Sequence, residues 1–107
     1  MTYSQLIEEV KRLRFEEIRV DSGELFEIVL GSQSFKELHS LLEQYFGGPL
    51  KPAGQVPSRE AENLTAFLGA VRKNQTFYCK KLDGGIEGAL IWPWSGDSSA
   101  TVKIFKN

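Results

Sequence analysis

The sequence predicts an α+β domain: a mainly antiparallel sheet of about five strands with three helices, in the order α-β-β-α-α-β-β-β. Three observations predict it. Apolar residues recur at helical spacing in 3–13, 34–46 and 58–71, while 15–30 and 76–106 alternate with a period of two. Turn residues split the alternating stretches into hairpins at Asp21-Ser22-Gly23 and Asp83-Gly84-Gly85. No sustained strand-helix-strand alternation occurs, which disfavours a parallel sheet and leads us to expect the helices together on one face. With 107 residues, 41% hydrophobic and 25% charged, the chain can bury a core as one domain spanning 1–107 without disulfides or metals.

Taken in order, Tyr3, Leu6, Ile7, Val10 and Leu13 form one helical stripe, and Thr2 with Gln5 makes a capping box at its start. In the first hairpin, a three-residue loop 21–23 with Gly23 at positive φ sets Val20 opposite Glu24 and Ile18 opposite Phe26. That register gathers Ile18, Val20, Phe26, Ile28 and Leu30 on one face. Ser34 and Glu37 read as a second capping box, opening a helix with Phe35, Leu38, Leu41, Leu42, Tyr45 and Phe46 inward and Gly47-Gly48 ending it. Residues 47–58, GGPLKPAGQVPS, cannot form a regular element and read as a crossing connection. Ser58 caps a third helix carrying Ala61, Leu64, Phe67, Leu68 and Val71, with Gly69 inside it for close packing. Strands near 76–82, 86–92 and 101–106 complete the chain. A two-residue turn puts Phe77 and Cys79 on the face of Leu90 and Trp92, whereas a three-residue turn puts Tyr78 there. Pro93 ends its strand or marks it as an edge, because it has no ladder donor.

Thirteen basic residues against fourteen acidic ones leave a net charge of -1, so no global field draws in nucleic acid or anionic membrane. The charge is uneven: residues 1–71 hold 7 basic and 11 acidic groups, residues 72–107 hold 6 and 3. Cys79 is the only cysteine, which excludes an internal disulfide or a thiolate zinc site built from one chain. The N-terminal stretch MTYSQLIEEVKRL matches neither a secretory signal nor a spanning helix, and a cytoplasmic location without membrane attachment is expected. In that setting the Asn63-Leu64-Thr65 and Asn74-Gln75-Thr76 sequons are coincidental.

No catalytic, cofactor-binding or metal-binding residues are assigned. His39 is the only histidine and falls on the polar side of its helix; with Glu43 it offers two ligands, too few for a defined metal site. No G-x-S-x-G turn accompanies the serines, and Cys79 reads as a small strand hydrophobe. Glu8-Glu9 and Glu16-Glu17 read as solvated faces rather than an acid–base pair. The Gly84-Gly85-Ile86-Glu87-Gly88 run matches no phosphate loop; Gly88 marks a bulge or a close approach by a neighbour.

Two surface clues remain. Trp92-Pro93-Trp94 precedes a polar loop; Trp92 is expected in the core, Trp94 either there or at a contact surface. Lys80, Lys103, Lys106 and Arg72 sit among the last strands, and Lys80 and Lys103 on one face beside aromatics would suit single-stranded nucleic acid, unless Glu87 neutralises Lys80. The leading expectation is a small non-catalytic domain acting through protein contacts or self-association, with Trp92, Pro93 and Trp94 as the contact residues beside a strand at the sheet edge. Nucleic-acid binding through the basic C-terminal strands is the first alternative. A small-ligand protein or enzyme with a pocket between sheet and helices is the second.

Overall fold

The computed structural model describes residues 1–96 and 98–107. Helix α1 (Tyr3–Lys11) is followed by β1 (Phe15–Asp21), β2 (Leu25–Gly31), α2 (Phe35–Phe46), α3 (Arg59–Leu64), β3 (Thr76–Leu82), β4 (Gly85–Pro93) and β5 (Ser99–Lys106). The strands form one antiparallel sheet in the order β1-β2-β5-β4-β3, so the predicted α+β class and element order hold. Strand β5 joins the two hairpins at the middle of the sheet.

The helices do not share one face. Leu6 and Val10 of α1 and Leu38 and Leu42 of α2 pack with Phe26, Ile28, Tyr78, Ala89, Ile91, Val102 and Ile104 on the first face. The intervening strand residues Phe77, Leu90 and Phe105 point the other way and are covered by Ala61, Leu64, Leu68 and Val71. The 47–58 connection carries the chain between faces around the β3 edge. There Lys51 pairs with Phe77, its N–H to the Phe77 carbonyl at 3.1 Å and its carbonyl to the Phe77 N–H at 2.9 Å. Lys51 itself is buried, and its Nζ donates to the carbonyls of Lys73 and Gln75.

Strand pairing settles the second hairpin, whose two faces are both covered. Leu82 pairs with Gly85 across a two-residue Asp83-Gly84 turn, with Gly84 at φ 83°. Phe77 and Cys79 therefore join Leu90, while Tyr78 enters the first core. Gly88 is a close approach, as expected: a Cβ there would lie 2.7 Å from Phe105 Cζ.

The first hairpin departs from its expected register. Ile18 pairs with Ile28, Val20 with Glu27 and Asp21 with Phe26, with irregularities between Phe15 and Glu17 and between Ile18 and Val20. The loop is Ser22–Glu24, where the Ser22 hydroxyl accepts from Leu25 N at 3.1 Å, and Gly23 does not have the expected positive φ. Bulges at an edge strand bend it out of the regular pleat; Ile18 is 43% exposed instead of in the core.

Helix caps divide similarly. The Thr2–Gln5 box forms in both directions, at 3.1 and 2.8 Å, and Ser58 Oγ accepts from Ala61 N at 3.1 Å. Ser34 makes no side-chain cap, because its buried hydroxyl donates to the Arg14 carbonyl at 3.1 Å. Helix α3 stops at Leu64, short of the expected Val71. Thr65 Oγ1 donates to the Ala61 carbonyl and accepts from Val71 N, both at 2.7 Å, folding the chain back on itself. Gly69, at φ 94°, thus ends a short 3-10 turn rather than lying inside a helix.

Candidate tryptophan cup on the second face

Helix α3 and its 3-10 turn cover the β3–β4 side of the second face, together with Phe105 and its neighbour Leu25 at the end of β2. Toward β1 the sheet surface is built by side chains alone. Register places Glu27, Lys103 and Leu90 in one cross-strand row and Val29, Thr101 and Trp92 in the next. Beyond Pro93 the chain keeps its pairing, since Trp94 N donates to Ser99 O at 2.9 Å. The N–H that Pro93 lacks would point toward β3, which begins only at Thr76 opposite Ile91. Pro93 therefore ends β4 without costing a ladder bond. Strand β4 lies between β3 and β5 and is interior; the sheet edges are β1 and β3, which corrects the expected edge beside the tryptophans.

Trp92 is not a core residue. It is 38% exposed and Trp94 40% exposed, and the two lie on the same face. Trp94 Nε1 donates to Thr101 Oγ1 at 2.9 Å. The Arg19 guanidinium lies 5.7 Å from the Trp94 ring centre, and Lys103 Nζ 5.2 Å from that of Trp92. Such placement exploits the negative face of the indole. Between the cations stands Glu27, 3.8 Å from Arg19 Nη1 and 3.9 Å from Lys103 Nζ. Arg19 Nε also donates to Glu17 at 2.8 Å, and this bond raises the guanidinium pKa. Arg19, Glu27, Trp92, Trp94, Thr101 and Lys103 together line an open cup of about 370 Å³.

The basic residues part company. Lys103 stands in the cup, but Lys80 and Lys106 project from the first face, opposite to the shared face expected for Lys80 and Lys103. Lys80 Nζ sits 3.7 Å from the Tyr45 ring centre and Lys106 Nζ 4.6 Å from that of Tyr3. Lys80 pairs in register with Glu87, which is buried and accepts a hydrogen bond from Tyr45 OH. Burial, with Glu87 nearby, pushes the Tyr3 phenol up to about 12. Arg72 is exposed in the Arg72–Gln75 turn before β3.

Other polar candidates are committed to the fold. His39 is half-buried rather than free in solvent, and its Nδ1 lies 2.8 Å from Tyr78 OH. Cys79 is half-buried, and burial pushes its thiol pKa up, away from the nucleophilic form. Among the described residues no group of three His, Cys, Asp or Glu side chains is placed to hold a metal, and no helix is long and apolar enough to cross a membrane.

Sequence reasoning missed Arg19, Glu27 and Thr101 as partners of the tryptophans. The available signal was a lone charge within two apolar strands, Glu27 in LFEIVL and Lys103 in TVKIF. Comparison of the chain with family models, with curated proteins and with solved structures finds no match in any of the three.

Proposed function

We propose that this chain is a non-catalytic binding domain that engages a protein partner through the cup of Trp92 and Trp94. The observation that carries the reading is the pair of half-exposed tryptophans, side by side on a part of the sheet that no helix among the described residues covers. Large rigid aromatics surrounded by polar groups are the residues that dominate binding energy at protein interfaces. Pro93 contributes by fixing the backbone between them rather than by contact at a sheet edge.

The nucleic-acid reading loses support from the same geometry. A binding groove for a single strand needs cations tracking its backbone beside stacking rings. Here Lys103 is matched by Glu27 and Arg19 by Glu17 and Glu27, while Lys80 and Lys106 lie on the opposite face.

Affinity capture from nuclease-treated extract tests the reading, using wild type, Trp92→Ala and Trp94→Ala. Capture should fall by about tenfold or more in both variants, as for a truncated interface anchor. Thermal midpoints should drop by no more than about 10 °C, since each ring is partly buried and Trp94 loses one hydrogen bond. Equal capture by all three proteins overturns the reading, as does capture that vanishes with nuclease. If the captured protein is a second copy of the chain, sedimentation velocity will show wild type as a dimer and the variants as monomers.

A further inference from the structure

We infer that the cup receives an uncharged, proline-containing extended segment of the partner. The inference rests on the protein-binding reading above and adds the chemistry of the bound segment.

Charge comes first. Inside the cup the cations are already matched: Arg19 by Glu17 and Glu27, Lys103 by Glu27. A strongly acidic or basic segment would have to break one of these pairs before gaining its own, so a segment without charged side chains fits best. Hydrogen bonding comes second. The Glu27 contacts, at 3.8 and 3.9 Å, are too long for hydrogen bonds, so charge and the indole faces hold Lys103 Nζ and Arg19 Nη1 in place. Among the described residues neither nitrogen has a hydrogen-bond acceptor, so each can turn to a neutral one. Peptide carbonyls are such acceptors, and in a polyproline II segment they have no internal partner. Proline also brings no backbone N–H, which suits a cup with two cationic donors and one carboxylate.

Shape comes third. Trp92 and Trp94 are two residues apart on one face, leaving ring surface exposed at both. Compact apolar pyrrolidine rings pack well on such surfaces, and the preformed segment loses little entropy on binding. The cup is open rather than enclosed, so a segment can lie across it.

The test titrates the whole chain with acetyl-Pro-Pro-Leu-Pro-Pro-amide and reads tryptophan fluorescence and the two indole N–H signals by NMR. Parallel titrations use the same peptide with every proline replaced by alanine, versions with aspartate or lysine at the leucine position, oligothymidine and cellobiose. The proline peptide should move both indole signals and bind about tenfold or more tighter than the alanine peptide, with little dependence on salt. Trp92→Ala and Trp94→Ala should each weaken it by about tenfold or more. Lys103→Met keeps the apolar stem and removes the donor, and should weaken it by about tenfold. Equal binding of proline and alanine peptides overturns the inference. So does tighter binding by a charged peptide, the oligonucleotide or the sugar, or no effect of Lys103→Met. A silent proline peptide, with partner capture still dependent on Trp94, removes this inference and leaves the protein-binding reading standing. Capture that is indifferent to Trp92 and Trp94 removes both.

Discussion

Replacing Gly88 with alanine puts one methyl group where the sheet has no room for it. The new Cβ would lie 2.7 Å from Phe105 Cζ, 3.0 Å from Phe105 Cε2 and 3.0 Å from the Tyr78 carbonyl oxygen. Carbon atoms rest about 3.5–4.0 Å apart, so the ring must retreat by roughly 1 Å. Retreat is obstructed. Phe105 is 1% exposed, stacked on Phe77 at 6.3 Å and met edge-on by Phe67 at 5.2 Å. Overpacking of this kind costs about 1–3 kcal/mol, offset by about 0.4–1 kcal/mol because alanine restricts the unfolded chain. Gly88 does not have a positive φ, so backbone strain adds nothing. The net expectation is a loss of about 1–2 kcal/mol, or about 5–12 °C in thermal midpoint for a domain of this size. Urea denaturation followed by circular dichroism measures it, with the double variant Gly88→Ala/Phe105→Leu closing the cycle. Leucine withdraws the obstructing ring atoms, so the Phe105 substitution should cost about 1 kcal/mol less in the Gly88→Ala background than in wild type. A Gly88→Ala protein as stable as wild type, or strict additivity in the cycle, would refute the steric argument.

Three further perturbations follow from contacts described above. Burial holds His39 below its ordinary 6.5, against the opposing pull of Glu43 on its own helix, with Tyr78 facing it from β3. Its contribution to stability is therefore complete above pH 6.5 and is lost as pH falls through its folded-state value; His39→Gln should flatten that part of a urea-midpoint profile, and an unchanged slope would remove the assignment. Lys51→Met keeps the buried stem but takes the side-chain donor from the Gln75 carbonyl and one of two donors from the Lys73 carbonyl, which keeps Gly54 N–H at 2.8 Å, and should cost about 1–3 kcal/mol in chemical denaturation. Thr2→Ala should lose about 1 kcal/mol with its capping box, whereas Glu37→Ala should lose only a few tenths, because Ser34 forms no box with it. Equal losses at the two helix starts would contradict the observed caps.

Much of the fold was legible because local rules and burial agreed. The stripe of Tyr3, Leu6 and Val10 and the alternation of Phe26, Ile28 and Leu30 both point into the first core. The rest depended on contacts between residues far apart in sequence. Phe77 and Tyr78 are both large aromatic residues, and both are buried, because α3 covers one face and α2 the other; burial could not choose the register. Ile18 is apolar at a strand position, yet the bulged edge leaves it outside the cover of α1 and α2. Ser34 had the spacing of a capping box, but a carbonyl twenty residues earlier in the chain took its hydroxyl.

The candidate site shows the same division more sharply. Alternation correctly aligned Trp92 with Leu90, but only Leu90 lies beneath α3 and its turn. Period-two patterning reports the direction of a side chain, and the extent of a covering layer decides whether that direction is inside. Arg19, Glu27 and Lys103 come together through the pairing of β1 with β2 and of β2 with β5, the latter spanning most of the chain.

The central position of β5 also has a consequence for how the molecule is made. During synthesis the β1–β2 and β3–β4 hairpins emerge first, each with an inner strand, β2 or β4, whose pairing groups await residues 99–106. Until those residues leave the ribosome the nascent chain exposes two apolar strand edges with no local partner to close them. Closure of the sheet by β5 is therefore a long-range step later than either hairpin, and the interval before it is when misassembly between neighbouring nascent chains is most easily begun.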